Sequence, residues 1–321
     1  MSDRIDNLRR RSRLVQSIRD YFHRRSYTEV QTPCLLKVPS IEPHIDPLLV
    51  VNGDGQKLYL HTSPEYSLKK LLAQGLGDCF SLGPCFRDEP TSDVREPEFT
   101  MLEWYSTGIT LCELMDQTED LIRSIWQESG AQPIIRDGAT LTLESPFERR
   151  SISSLFQANV GLCPIELNTF ELLVNGARAR SLRFSQNCTD YDSLFHQLFL
   201  NYIEPTIGRE CPTFVWGWPP SQAALARLTN EAPIVALRFE LYAGGLELAN
   251  AFDELTDAQE QRQRFEIEQA ERKQMNKTVF ELDEALLSCL DEMPRTAGIA
   301  MGIDRLVMLL LNVDRISEVK P

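Results

Sequence analysis

A strand whose every second side chain is charged can bury only one of its faces in an apolar core, and two segments of this chain impose that pattern. In "PEFTMLEWYST", Phe99, Met101, Glu103 and Tyr105 share one face, and Leu102 and Trp104 take the other. In "ALRFELYAGGLELANAFDEL", Arg238, Glu240 and Tyr242 oppose Leu237, Phe239 and Leu241. The second segment folds back at Ala243-Gly244-Gly245, a turn that needs positive φ. Continued past the turn, the alternation puts Glu247 and Ala249 on one face. Upstream, "CFSLGPCFRDE" is strand-like and pairs naturally with "PEFTMLEWYST" as an antiparallel hairpin, with Arg87 and Glu89 pointing the same way. One side of the resulting sheet collects arginines and several carboxylates, and the other is apolar.

The rest of the chain supplies helices and more strands. Leu14, Val15, Ile18 and Phe22 recur at helical spacing over residues 7–25, with arginines on the opposite face. "YTEVQTPCL" reads as a strand with Pro33 near its end, and "KLYL" as another. Thr62 or Ser63 then caps a helix over 65–74, with Pro64 at its first position and Gly75 beyond its end. Further helices are expected from "LCELMDQTEDLIRSIWQESG" and over 257–275. Residues 131–210 are less patterned, with helical pieces at "SISSLFQANVGL" and "YDSLFHQLFLNYIEPTIG" and no evident chemistry. "CPTFVWGWP" is a strand, and "GIAMGIDRLVMLLLNV" is a glycine-punctuated strand running into an apolar helix. Strands that pair locally, with helices between the groups, predict an α+β fold: an antiparallel β-sheet flanked by helices.

Bulk composition narrows the function. The formal charge of −14 opposes long polyanions such as nucleic acid. No apolar run approaches the roughly 20 residues that span a bilayer, and the N-terminus lacks a secretory apolar region, so no membrane partner is expected. The eight cysteines are scattered, form no CxxC pair and suit a reducing, cytoplasmic setting. The basic run Arg4, Arg9, Arg10, Arg11, Arg13, Arg19, Arg24 and Arg25 reads as a solvated helix face or as a docking patch for an acidic partner. Burying the charged sheet face without partners is costly, so that face calls for ligands of both signs: magnesium, an ammonium group, a triphosphate.

The ordered motifs resemble a family. "TPCL", "FRDE…PEF" and "GIAMGIDRLVML" are similar to the three motifs of the class II aminoacyl-tRNA synthetase catalytic fold, and "PEFTMLEWY" with "ELAN" is similar to its lysyl-tRNA synthetase branch. The resemblance runs from about residue 7 to about 319. A lysyl-tRNA synthetase also carries an anticodon-binding barrel, for which this chain has no room. The expectation is therefore a single catalytic domain over 1–321 that does not read tRNA. The chain looks more like the elongation factor P lysine ligases, truncated paralogues of those synthetases. Ala300, where synthetases usually have glycine, is associated in the ligases with preferring (R)-β-lysine over lysine.

The resemblance implies a homodimer that uses ATP and Mg2+ to form an aminoacyl-adenylate and then acylates a lysine side chain of elongation factor P. It implies catalytic roles for Arg87, Arg305 and Glu240, and an ATP site comprising Arg87, Asp88, Glu89, Glu96, Phe99, Glu240, Leu241, Gly302 and Arg305. Glu240 and Glu247 would carry the magnesium. Ser63, Pro64, Glu65, Glu103, Tyr105, Glu247 and Ala300 would form the amino-acid pocket, and carboxylates independently suit a diamine. The chain departs from the family pattern at Arg95 and Glu96, which replace a His-Asn pair, and at Asp93, Ala251 and Asp253. Glu96 puts a negative charge where a polyanion is expected. Two further readings stand beside the ligase: a diverged paralogue that lysylates another protein or a small amine, and a silent ATP- or lysine-binding protein.

Overall fold

The computed structural model describes residues 2–321. Along the chain come helix α1 (Ser2–His23), strand β1 (Thr28–Glu29), and the short strands β2 (Leu35–Leu36), β3 (Leu49–Val51) and β4 (Lys57–Leu60). Helix α2 (Glu65–Ala73), the hairpin β5 (Cys79–Phe86) and β6 (Glu98–Thr107), and helix α3 (Leu111–Glu128) follow. A small hairpin of β7 (Ile134–Arg136) and β8 (Ala139–Leu141) leads to β9 (Glu148–Ser151) and helices α4 (Ile152–Val160), α5 (Phe170–Ala179) and α6 (Tyr191–Leu198). Then come β10 (Thr213–Trp218), the hairpin β11 (Ala236–Ala243) and β12 (Leu246–Asp253), α7 (Ala258–Gln274), α8 (Glu284–Leu287), β13 (Thr296–Gly302) and α9 (Ile303–Leu311).

Eight strands form one sheet in the order β1-β5-β6-β13-β12-β11-β10-β9. Its interior is antiparallel, as the local pairing predicts. The two outermost pairs, β1–β5 and β10–β9, are parallel. The expected "YTEVQTPCL" strand shrinks to the two residues Thr28 and Glu29 that pair with β5. Pro33, which lacks an N–H, lies outside the ladder. The β11–β12 turn is made by Gly244 and Gly245 at φ 58° and 72°, and a Cβ on Gly244 would lie 2.6 Å from Leu309 Cδ1, so both the turn and its packing require glycine there.

The alternating faces sort as the sequence predicts. Leu102, Trp104, Phe239, Leu241, Ile299 and Met301 join one apolar core with α1, α3 and α9. A second cluster packs α4–α6 against Val215 and Trp218 of β10 and gives the weakly patterned 131–210 region its core. A third gathers α2, α7 and α8 around Tyr105 on the opposite side of the sheet. Among the described residues no helix is long and apolar enough to cross a membrane.

Much of the N-terminal basic run is committed to the fold. Arg11 pairs with Asp304, whose other oxygen accepts the Thr100 N–H at 2.7 Å; Asp304 is only 2% exposed. Arg19 pairs with Glu29 at 2.9 Å and Arg25 with Asp120 at 2.7 Å. Arg4 donates to the carbonyl oxygens of Ser317 and Lys320. Arg11 is thereby drawn into the fold, whereas Arg4 and Arg25 make these contacts while still exposed to solvent.

Candidate active site

The charged face runs across β6, β13, β12 and β11. Directly opposed residues of antiparallel strands share a face. Glu103 lies opposite Ala300, and Ala300 opposite Asn250; Tyr105 lies opposite Gly298, and Gly298 opposite Phe252. Farther along, Asn250 is opposite Glu240, and Glu247 is opposite Tyr242. The expectation that Glu247 and Ala249 share a face is corrected here. The register shifts between Leu241 and Tyr242, so Leu248 is an extra residue in β12. This bulge inverts the alternation. Glu247 joins Asn250 on the charged face, and Ala249 joins the apolar core.

One end of this face is a carboxylate pocket. Glu103 accepts from the Ser63 hydroxyl and from the Tyr105 hydroxyl, each at 2.7 Å. The same Ser63 Oγ accepts the Glu65 N–H at 3.0 Å, while Pro64 takes the N-cap place of α2 rather than its first turn. Lys69, 1% exposed, sits between Glu65 at 2.7 Å and Glu254 at 2.6 Å. Burial, aided by the charge of Glu65, pushes the Glu103 carboxyl up to about 8. Burial likewise raises Glu254 to about 8 against the opposing pull of Lys69. Gly298 leaves the space these groups occupy: a Cβ there would lie 2.3 Å from Glu254 Oε1 and 2.4 Å from Tyr105 Cε1.

The other end is rich in arginine. Arg87 and Glu89 lie just past the end of β5, so they are placed by the loop and not by strand alternation. The Arg87 backbone N–H donates to Pro97 O at 2.8 Å, and its guanidinium stands 5.1 Å from the Phe99 ring centroid. Arg87 Nε is buried without a hydrogen-bond partner among the described residues, an orphaned cationic donor suited to an anion. Arg305 donates to Glu247 O at 2.8 Å and to Val94 O at 3.3 Å. At Gly302 a Cβ would make ordinary contacts at 3.9 Å with the Arg305 side chain and Leu248 O, so packing alone does not require glycine there. Asp88 is solvent-exposed, and its N–H donates to Asp46 O at 2.8 Å. The Leu241 side chain is buried in the core behind the sheet, so only its backbone can serve the expected nucleotide site. The Glu96 carboxylate pairs with Lys320 at 2.6 Å.

Between the two ends, Glu240 accepts from both Arg238 and the Tyr242 hydroxyl. Burial and the neighbouring Glu240 push Glu247 up to about 7. Glu240 and Glu247 are near enough for the charge of one to act on the other, and two such carboxylates suit a divalent cation. Among the described residues no group of three His, Cys, Asp or Glu side chains is placed to hold one. An ion here therefore needs oxygen ligands from outside the protein, as magnesium takes from phosphates.

Comparison with known proteins places the chain in a family. The family pattern described as tRNA synthetases class II (D, K and N) matches residues 2–321. The chain belongs to the class II tRNA synthetase family. Within it, the chain is 38% identical to proteins of Haemophilus influenzae and Sodalis glossinidius, each named elongation factor P--(R)-beta-lysine ligase, over 98% of this chain and 94% of the relative. A protein of the same name from Proteus mirabilis is 36% identical over the same shares.

The candidate site also holds residues that the sequence did not single out. Lys69 lies four residues after Glu65 on α2, a local spacing that could have revealed the pair. Asn250 and Gly298 are placed only by strand register, and Glu254, just past the end of β12, by an isolated bridge to Ala226. Glu42, whose carboxyl is raised by burial against the pull of Arg87, and Glu268 of α7, raised to about 8 by burial and by Glu42, are two more acids within electrostatic reach of these groups.

The raised Glu103 pKa has a signed consequence. Stability held by its neutral form is complete below the ordinary value of 4.5 and is lost as pH rises through about 8. The unliganded protein should therefore lose unfolding free energy between pH 5 and 8. Glu103→Gln should flatten that loss, gaining about 1 kcal/mol or more over the parent at pH 8. Urea titrations at both pH values check this, and parallel profiles for the two proteins would refute it.

Proposed function

We propose that the protein is a cytoplasmic, ATP-dependent ligase that activates (R)-β-lysine or lysine as an aminoacyl-adenylate and transfers it to a lysine side chain of elongation factor P. The observation that carries this reading is one sheet face with an unsatisfied arginine at one end and a carboxylate pocket at the other. That face matches a molecule with an anionic carboxylate and two ammonium groups lying beside a triphosphate. The names borne by the relatives supply the acceptor.

In the first step a carboxylate oxygen of the amino acid bonds to the α-phosphorus of ATP. The bond from that phosphorus to the bridging oxygen breaks, and pyrophosphate leaves. The attacking carboxylate is already ionised, so no side chain need take a proton, and positioning and charge neutralisation dominate. Arg87 holds the α-phosphate and the substrate carboxylate together, with Phe99 behind its guanidinium. Glu89 meets the adenine, Arg305 the far phosphates, and Gly302 gives the backbone close approach. Glu240 and Glu247 would hold magnesium, which supplies positive charge to the phosphates. Glu103, Tyr105, Ser63 and Glu65 fix the ammonium end. In the second step the acceptor amine nitrogen attacks the acyl carbon, AMP leaves, and the amine loses a proton.

ATP–pyrophosphate exchange tests the reading. The protein should exchange with (R)-β-lysine or lysine, and Arg87→Ala should lower the rate by about 10²-fold or more while leaving the fold intact. Absence of exchange with any lysine isomer would sink the enzyme reading. Exchange without transfer to elongation factor P would favour a paralogue with another acceptor.

Ala300 lies between Glu103 and Asn250 in the strand register, so its methyl group projects into the proposed pocket. Ala300→Gly should raise the use of lysine relative to (R)-β-lysine, and an unchanged ratio of kcat/KM values would refute the pocket assignment.

We further infer that residues 1–321 work as one catalytic unit without reading tRNA, and as a homodimer. β1 covers Cys79 and Phe80 of β5, and His61 bonds to Pro84 O and to the Phe86 N–H farther along; between them the edge borders a recess of about 480 Å³ lined by Gln31, Thr32, Ser81 and Gly83. A second copy would cover it. A monomeric mass by light scattering at micromolar concentration would contradict the dimer.

A further inference from the structure

The loop joining β5 to β6 and the first residue of β6 are fastened at four points. Ile316 N–H donates to Asp93 O at 2.7 Å, and Arg305 donates to Val94 O at 3.3 Å. Lys320 Nζ lies 2.6 Å from the Glu96 carboxylate and also donates to Glu98 O. Between those two residues, Pro97 O accepts the backbone N–H of Arg87 at 2.8 Å. One ammonium group therefore grips both neighbours of the residue that holds Arg87 in place.

The grip is itself anchored. Ile316 and Val319 are buried in the main core, and the Lys320 carbonyl accepts from Arg4 Nη2 at 2.9 Å. The Lys320 side chain is 15% exposed and that of Glu96 27%, so water screens this pair less than it screens a surface pair. Glu96 is also the acid whose charge is hardest to reconcile with a nearby triphosphate. Its carboxylate is matched by a cation from the far end of the chain.

We propose that Lys320 is a positioning residue for the nucleotide: it cancels the charge of Glu96 and holds the segment on which Arg87 rests. The proposal rests on the ATP-dependent reading given above. Lys320 touches no reacting atom. It acts through Glu96 and through the Pro97 contact to Arg87. A structural pair alone would cost stability without moving either KM, whereas this pair bears on both ligands of Arg87 and, through the Glu96 charge, on ATP most.

The test is ATP–pyrophosphate exchange by the full chain and its Lys320→Gln, Glu96→Gln, Lys320→Gln/Glu96→Gln and Lys320→Arg variants. Lys320→Gln should raise the KM for ATP about tenfold and that for the amino acid by a smaller factor, because Arg87 meets both while the freed Glu96 charge opposes the triphosphate. Removing the Glu96 charge as well should restore most of that loss, and Lys320→Arg should stay near the parent. Trypsin, which can cut after the exposed Arg95, should nick the loop several-fold faster in Lys320→Gln. A parental KM for ATP in Lys320→Gln, or no rescue in the double variant, overturns the proposal. If the parent itself exchanges with no lysine isomer, the ATP reading fails instead, and the trypsin rates alone then decide whether Lys320 holds the loop.

Discussion

The ion contacts of Lys69 make the rest of the site possible. Glu65, Glu103 and Glu254 crowd one end of the sheet face, where burial disfavours charge on any of them. A single ammonium, itself shut away from water, bridges two of the three. Truncating it would leave unpaired buried carboxylates, which is more damaging than never having had the pair. Gly298 is the steric counterpart of this electrostatic arrangement. The strand beneath the pocket gives up a side chain so that Glu254 and Tyr105 can lie against its backbone.

The bulge at Leu248 plays a similar enabling part along the sheet. Regular alternation would have sent either Glu247 or Asn250 into the apolar core. One extra residue in β12 lets both face the ligand side while Ala249 and Ala251 stay packed with Phe239 and Leu241. The two halves of the face, acidic at Glu103 and arginine-rich at Arg87, are joined into one continuous surface by this local change of parity.

Much of this architecture was legible because it is written in local periods. The alternation in "PEFTMLEWY" and "RFELY" gave the correct faces of β6 and β11, and the paired glycines gave the β11–β12 turn. The family resemblance added the order of the motifs, and the family comparison bears it out. What stayed hidden depends on residues distant in sequence. The parity change in β12 exists only relative to β11. The partner of Glu96 is contributed by the C-terminal residues, and the partners of Arg11 and Arg19 turned an apparently solvated basic face into packing. Arg87 and Glu89 were assigned to one side on strand logic, although the strand ends at Phe86. Residues 131–210 looked plain because the burial partner of α4–α6 is β10.

The two hydroxyl contacts of Glu103 set how selective the pocket can be. Ser63 and Tyr105 each occupy one lone pair on a different oxygen, so the carboxylate is fixed in rotamer and tilt before anything arrives. Each oxygen still has acceptor capacity to spare. An incoming ammonium meets a receiver that neither swings to greet it nor yields to a chain that falls short, and little side-chain entropy remains to be lost on capture. Discrimination between chains that differ by the placement of one amine then becomes a matter of reach, measured against a fixed point.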